Sequence, residues 1–263
     1  MTPFIWLALC LPTLFLLQRW IHRHLRGLAY LLTGRMSWAV LIYAIILFPG
    51  VLLHELSHWI VARLLGVRTG AISLLPQMQR DGSVRLGYVE YYRSRTLGPV
   101  RESLIGGAPL ITGTLAVLLI GFEVFDITNF AAAVESASLD RLGGVLTQLF
   151  TAPDFLVWLY LIFAISNAMM PSPSDRRAWP LFLLLLAIAA TVLFLLDRQQ
   201  VIIAGIAGPV TTVFGYLALA LSLAIGVDIV FILVIYFLEG VISRLRGVEV
   251  IYERVDSSAA KTK

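Results

Sequence analysis

Residues 51–60, VLLHELSHWI, place two histidines and a glutamate inside an apolar run that is long enough to cross a bilayer. A helix brings residues four apart onto one face, so His54 and His58 can bind one metal ion while Glu55 lies beside them. Ionisable side chains are costly inside a membrane unless a partner or an ion compensates them. This stretch therefore predicts half of a zinc site of the H-E-x-x-H type on a membrane-spanning helix.

The composition around this stretch is that of a polytopic membrane protein. Of the 263 residues, 59% are hydrophobic and only 14% are charged, and the mean hydropathy of +0.88 lies outside the range of soluble domains. The formal charge of +4 comes mostly from clustered arginines, which are typical of membrane-surface anchoring rather than nucleic-acid binding. A single cysteine, Cys10, excludes a disulfide within the chain.

Apolar segments of about 17 to 25 residues can span a bilayer as helices, and the sequence predicts six to seven of them. The spans are expected at residues 4–17, 38–65, 104–125, 155–170, 179–196, 201–225 and 227–242, where the last two can form one hairpin around Gly226. Residues 18–35 are predicted to form an interfacial amphipathic helix, with His22 and His24 contacting lipid headgroups. No internal repeat is evident, which counts against a secondary transporter.

Residues 66–101 have a pattern of strand-forming and turn-forming residues, unlike the apolar segments on either side. Residues 71–75 and 84–91 resemble short strands, and turn-forming residues separate them at positions 80–83. The sequence therefore predicts a β-hairpin at the membrane surface, with an ordinary arginine-rich loop as the alternative. The exposed edge of such a hairpin can take up an extended peptide by strand addition.

The two histidines require a third ligand, because a catalytic zinc site usually has three protein ligands and an open position for water. Asp175 is preferred, since Pro171 and Pro173 interrupt the helix before it and a short aspartate there can turn toward a neighbouring helix. The acidic residues considered near span interiors or ends are Glu123, Asp126, Asp154, Asp175, Asp228 and Glu239.

These motifs resemble those of the site-2 protease family of intramembrane zinc metalloproteases, in the form of a divergent branch. That family carries H-E-x-x-H on one span and N-x-x-P-x-x-x-L-D-G on a later one, which Asn167 and Asp175 match in part at the same separation. The stretches GVRTGAISLLP (66–76) and GGAPLITG (106–113) also resemble the family, so the resemblance covers about residues 49–179. The chain departs from the pattern at Pro171, one position late, at Ser174 in place of leucine, and at Arg176 in place of glycine.

The resemblance implies that His54, His58 and Asp175 bind one zinc ion and that Glu55 is the general base that activates water. Asn167 would hold the substrate carbonyl or the developing oxyanion, with a helix-packing hydrogen bond as its alternative. The expected fold is an all-α polytopic membrane protein with a three-helix metalloprotease core and a small membrane-associated β-hairpin. Its predicted parts are a first span and interfacial helix (1–37), the catalytic core (38–178), additional transmembrane helices (179–243) and a polar, disordered tail (244–263).

The expected function is hydrolysis of peptide bonds within or near the transmembrane segments of substrate proteins, inside the lipid bilayer. The resemblance implies a plasma or bacterial inner membrane with the active site toward the cytoplasm. The distribution of charge leaves this orientation open. A cytoplasmic active site would put the basic cluster outside, against the positive-inside tendency; its members are Arg19, Arg23, Arg26 and Arg35. The alternatives are a catalytically silent scaffold or chaperone of the same fold, suggested by Ser174 and Arg176, and a transporter.

Overall fold

The computed structural model describes residues 3–74, 76–78, 84–85, 87–91, 98–129, 136, 139–196, 199–248, 250 and 252. Its main helices are α1 (Pro3–Thr33), α2 (Met36–Leu64), α3 (Pro99–Glu123), α4 (Leu139–Thr151), α5 (Phe155–Met169), α6 (Trp179–Leu195) and α7 (Gln199–Arg246). Four short strands lie between α2 and α3, namely β1 (Thr69–Ser73), β2 (Gln77–Met78), β3 (Val84–Arg85) and β4 (Tyr88–Tyr91). The predicted class, a mostly helical protein with a small β element, is confirmed.

Among the described residues, the helices with the full length and composition of a membrane span are fewer than the sequence predicts. Within the described residues, four helices have the length and composition of a span, namely α1, α2, α3 and the Ala204–Arg246 part of α7. A fifth results if α4 and α5, which meet at an angle of 91°, form one broken span. α6, with 17 residues, is a shorter apolar helix at the lower limit of the length that can cross a bilayer. By length and composition, the described residues thus contain four helices that could span a membrane, or five if the bent pair is one span, where the sequence predicts six to seven.

Two predicted span boundaries are wrong, because each lies inside one continuous helix. α1 joins the predicted first span to the predicted interfacial helix, and α7 runs through Gly226 without a turn. The polar side chains of α1 are compatible with a continuous helix because other helices provide their partners. His22 Nδ1 lies 2.7 Å from the Tyr43 hydroxyl, and His24 Nδ1 lies 2.7 Å from Glu239 Oε2. Both histidines therefore contact protein, not lipid headgroups as predicted.

The core is built around α5, where residues 162–167 and Met169 are buried. The apolar side chains of α5 pack against α1, α2, α3 and α7 in one continuous cluster. In lipid, helices associate through close packing and hydrogen bonds rather than through the hydrophobic effect. α1 and α7 therefore share this cluster with α2, α3 and α5.

Gly50 allows α2 and α5 to approach closely, because a Cβ at this position would overlap the carbonyl oxygen of Ala164. We expect Gly50→Ala to lower the unfolding temperature, since overpacking against backbone typically costs about 1–3 kcal/mol. Thermal unfolding of the detergent-solubilised protein measures this change. Gly205→Ala is the control, because a Cβ at Gly205 meets nothing within 4 Å and alanine is the better helix former. Equal unfolding temperatures for the two variants would contradict the close approach.

The hairpin predicted after α2 is present, and the alternative of an irregular loop is wrong. β1 pairs antiparallel with β4, with Ile72 opposite Val89, and β2 pairs antiparallel with β3. The predicted second strand is therefore divided into β3 and β4, and β4, its C-terminal half, is the partner of β1. Both β1 and β4 contact α2, so the hairpin lies against the helix that carries the histidines. The predicted turn at 80–83 and residues 253–263 of the predicted tail lie outside the described residues.

Candidate metal centre

His54 and His58 face each other on α2, one turn apart. Their Nε2 atoms are 3.2 Å apart, and each Nδ1 lies beside a backbone carbonyl: Ala168 O at 2.6 Å for His54 and Ile105 O at 2.8 Å for His58. A carbonyl oxygen only accepts, so each Nδ1 carries the proton and donates it. In the neutral imidazole this leaves the Nε2 lone pair of both rings for a ligand.

Both carbonyls are available because their helices lack the usual hydrogen-bond donor. In α3 the residue four positions after Ile105 is Pro109, which has no N–H group. In α5 the carbonyl of Ala168 belongs to the last turn, where helical carbonyls have no partner four residues ahead. The histidine orientation is therefore set by a proline in one neighbouring helix and by the end of another. This support was missing from the sequence prediction, although Pro109 is a signal that could have revealed it.

Asp175 reaches the two histidines from the turn that follows α5. Its Oδ1 lies 3.4 Å from His58 Nε2, and its Oδ2 lies 3.8 Å from His54 Nε2. The Ser172 N–H donates to Asp175 Oδ2 at 2.7 Å and fixes the carboxylate within the turn. Of the departures from the family motif, Ser174 hydrogen-bonds Ser172 at 2.7 Å and Arg176 is exposed. Neither departure separates the carboxylate from the histidines.

The three side chains have the composition and spacing of a metal site. One ligand atom from each of His54, His58 and Asp175 lies within 4.8 Å of the others. Burial raises the pKa of the Asp175 carboxyl, whereas the proximity of His58 and the Ser172 hydrogen bonds lower it, and the resulting pKa is below its ordinary value. The group is thus ionised at neutral pH, as a ligand must be. Two imidazoles and one carboxylate form a set that suits zinc and leaves a fourth position open.

Gly106 makes room for the Asp175 turn, because a Cβ on Gly106 would overlap the Asp175 carbonyl oxygen. We expect Gly106→Ala to push the turn away from the histidines and weaken zinc binding by about 10–100-fold, the range seen when a supporting residue of a metal site is changed. Gly107→Ala is a matched control, since a Cβ at Gly107 meets nothing within 4 Å. Competition with a chromophoric zinc chelator measures both affinities. Indistinguishable affinities would show that the turn is not held against α3.

The side chain of Glu55 lies between its own helix, α2, and the hairpin. This side chain is only 7% exposed. A Cβ placed on Gly87, directly before β4, would lie 2.9 Å from Glu55 Cγ and 3.2 Å from Oε1. The backbone of the hairpin therefore runs beside the Glu55 carboxyl group, and a side chain at position 87 would disturb it.

Asn167 lies apart from this cluster, in the interior between α5 and α7. Its Nδ2 donates to Asp228 Oδ1 at 2.8 Å and to Phe163 O at 3.0 Å, and the residue is 5% exposed. Since these two bonds use both N–H groups, the geometry supports the helix-packing role and not the predicted contact with an oxyanion.

The other carboxylates that were considered as third ligands are engaged elsewhere or exposed. Glu239 pairs with His24, and Asp228 pairs with Asn167. Asp126 accepts a 2.6 Å hydrogen bond from the Asn129 side chain, while Glu123 and Asp154 are exposed. Of the predicted ligands, the structure thus brings together His54, His58 and Asp175.

Comparisons of the chain with protein-family models, with curated proteins and with solved structures found no match.

Proposed function

We propose that the protein is an intramembrane zinc endopeptidase with the catalytic organisation of the site-2 protease family. The observation that supports this proposal is the convergence of His54 Nε2, His58 Nε2 and an Asp175 carboxylate oxygen from separate segments of an apolar chain. The helices α2, α3 and α5 are the proposed three-helix core, since they carry the two histidines and the two carbonyls that orient them.

The donor set fits zinc on chemical grounds. Imidazole nitrogen and carboxylate oxygen are common zinc ligands, and the Nδ1–H of each histidine has the carbonyl partner that such sites use to fix ring orientation. A bound zinc ion would polarise the scissile carbonyl and make water available as hydroxide near neutral pH. His54, His58 and Asp175 would hold that ion at the depth of the C-terminal half of α2.

Glu55 is the proposed general base. Glu55 directly follows His54 on α2, and in the proposed reaction its carboxylate accepts a proton from the attacking water and later delivers it to the leaving amine. The Glu55 side chain is buried beside the hairpin, so its carboxylate has little contact with bulk solvent. The roles are thus divided between three residues that bind and one that transfers protons.

The hairpin provides a means of presenting the substrate. A helical substrate hides its carbonyl groups in internal hydrogen bonds, so cleavage requires an extended segment. β1 and β4 form a two-stranded pair within the described residues, and a two-stranded pair has outer edges that can accept another strand. Because the hairpin lies beside Glu55, a strand added there would pass close to the general base. We propose that the substrates are transmembrane segments of other proteins, and that the site faces the cytoplasm.

Metal removal tests this function. The purified protein should contain about one zinc ion per chain and cleave a co-expressed single-span reporter protein. Treatment with a strong chelator should abolish cleavage, and zinc should restore it, because the proposed chemistry depends on the ion. Cleavage that persists in the metal-free protein, or a protein that binds no zinc, would contradict the proposal. A metal-free protein that still binds membrane proteins would favour the scaffold, and metal-independent flux would favour the transporter.

A further inference from the structure

A second polar cluster lies in the interior of the helix bundle, away from the metal ligands. It joins Gln18 of α1, Ser166 and Asn167 of α5, and Asp228 of α7. Gln18 Nε2 donates to Ser166 O at 2.6 Å, and Ser166 Oγ lies 3.1 Å from Asp228 Oδ1. Asp228 and Ser166 are fully buried, so none of this network reaches solvent through either residue.

One oxygen of Asp228 and one of Asn167 have no hydrogen-bond partner in the described part of the chain. Asp228 Oδ1 accepts from Asn167 Nδ2 at 2.8 Å, but Asp228 Oδ2 and Asn167 Oδ1 are both buried and unpaired. If the carboxyl group were ionised, both atoms would be acceptors without a donor, and a buried charge would remain uncompensated. In the described residues no salt bridge includes Asp228.

A single proton on Asp228 would give a hydrogen-bond partner to both unpaired oxygens, Asp228 Oδ2 and Asn167 Oδ1. A proton on Asp228 Oδ2 changes that atom into a donor, and the unpaired acceptor Oδ1 of Asn167 belongs to the residue that already donates to Asp228. We propose that Asp228 is a neutral carboxylic acid that forms a two-hydrogen-bond pair with the Asn167 amide, locking α7 to the last turn of α5. The acid accepts at Oδ1 and donates from Oδ2, so the pair is satisfied without any ion.

The neighbouring titratable groups fit a neutral pair. On α1, His22 lies close to the backbone of Asn167. On α2, Tyr43 hydrogen-bonds His22 Nδ1 at 2.7 Å. These two side chains therefore have partners of their own, and the described residues contain no charged hydrogen-bond partner for Asp228. Its side-chain partners, Ser166 and Asn167, are both neutral.

This pair also gives α7 a connection to the metal site. Asn167 directly precedes Ala168, whose carbonyl holds the Nδ1 of His54. Fixing the Asn167 side chain against α7 therefore fixes the backbone that orients a metal ligand, which makes Asp228 a positioning residue. This second consequence rests on the proposed zinc site, whereas the acid–amide pair does not.

Two substitutions at position 228 separate a neutral acid from a charged group. Asp228→Asn imitates the protonated acid, because its carbonyl can accept from Ser166 and Asn167 while its NH₂ donates to Asn167 Oδ1. Asp228→Leu keeps a similar size but removes the partner of one Asn167 N–H and of Asn167 Oδ1, while the bond from Nδ2 to Phe163 O remains. We expect the Asn variant to unfold within a few degrees of the wild type and the Leu variant to unfold at a clearly lower temperature. Equal losses for both variants would overturn the proposal.

Infrared spectroscopy of the full chain in lipid provides a direct readout. The wild type minus Asp228→Asn difference spectrum at neutral pH should contain the carbonyl-stretch band of a protonated carboxylic acid. Carboxylate bands there instead would show an ionised group, held by a buried water or by a cation, and would overturn the proposal. A dependence of wild-type stability on sodium that Asp228→Asn abolishes would also overturn it, in favour of a cation site.

Zinc affinity tests the connection to His54 separately. We expect Asp228→Leu to weaken zinc binding by about 10–100-fold and Asp228→Asn to leave it unchanged, since supporting residues of metal sites have effects of this size. Unchanged affinity in both variants would refute the positioning role. If the chain binds no zinc at all, the proposed enzymatic function fails, but the infrared and thermal measurements still decide whether the acid–amide pair exists.

Discussion

We expect Glu55→Gln to abolish peptide-bond hydrolysis and to leave the zinc content unchanged. Glutamine has nearly the same shape as glutamate, so the buried position between α2 and the hairpin tolerates it. An amide cannot accept a proton from water, however, and general-base catalysis contributes typically about 10²–10⁴-fold to a rate. Cleavage of a single-span reporter, combined with metal analysis of the same purified sample, measures both quantities.

Glu123→Gln is the matched control for this experiment. It makes the same chemical change at an exposed position at the end of α3, and we expect wild-type cleavage. Full activity of Glu55→Gln would rule out the assigned mechanism, even if zinc were present. If neither the wild type nor Glu55→Gln cleaved the reporter and both retained the same biological function, the protein would be a catalytically silent relative.

Asp175→Ala is expected to lose zinc as well as activity, which distinguishes it from Glu55→Gln. Structural zinc sites with four ligands have binding free energies of about 10–16 kcal/mol, or roughly 3 kcal/mol per ligand. Losing one ligand should therefore weaken binding by about a hundredfold or more. Isothermal or chelator titration of the purified protein measures the affinity.

Arg176→Gly is the local control for Asp175→Ala. It changes the neighbouring exposed residue in the same turn to the residue of the family motif, without removing a ligand. We expect unchanged zinc affinity, because the Ser172 N–H, not the Arg176 side chain, makes the short hydrogen bond to the Asp175 carboxylate. If Asp175→Ala bound zinc as tightly as Arg176→Gly, the third ligand would be another residue.

The proximity of His54, His58 and Asp175 could be predicted in part because the signals for each segment are local. The four-residue spacing of His54 and His58 follows from helix geometry, and the prolines before Asp175 indicate a turn that can reach them. The hairpin was predictable for a similar reason, since strand and turn residues alternate over a short stretch. The signal for each segment lies within a few residues of it, whereas the carbonyl groups that orient the two histidines come from α3 and α5 and were not predicted.

The helix boundaries were not predictable, because they depend on partners far away in the chain. Gln18 has the polarity expected at the end of a span, yet it is buried and donates to Ser166, 148 residues later. Asp228 similarly resembles a boundary residue, but its partners are in α5. The role of Asn167 was open for the same reason, since a motif does not show which way an amide points.

The packing of α1 against α7 has a consequence for biosynthesis. Helices enter the membrane in the order in which they are translated, so α1 arrives long before its main partner. The Gln18 amide remains without its acceptor until Ser166 is made, and His24 without its carboxylate until Glu239 is made, 215 residues later. During that interval the nascent bundle carries polar groups that lipid cannot satisfy. The polar contacts of α1 can therefore be completed only after α5 and α7 have been made.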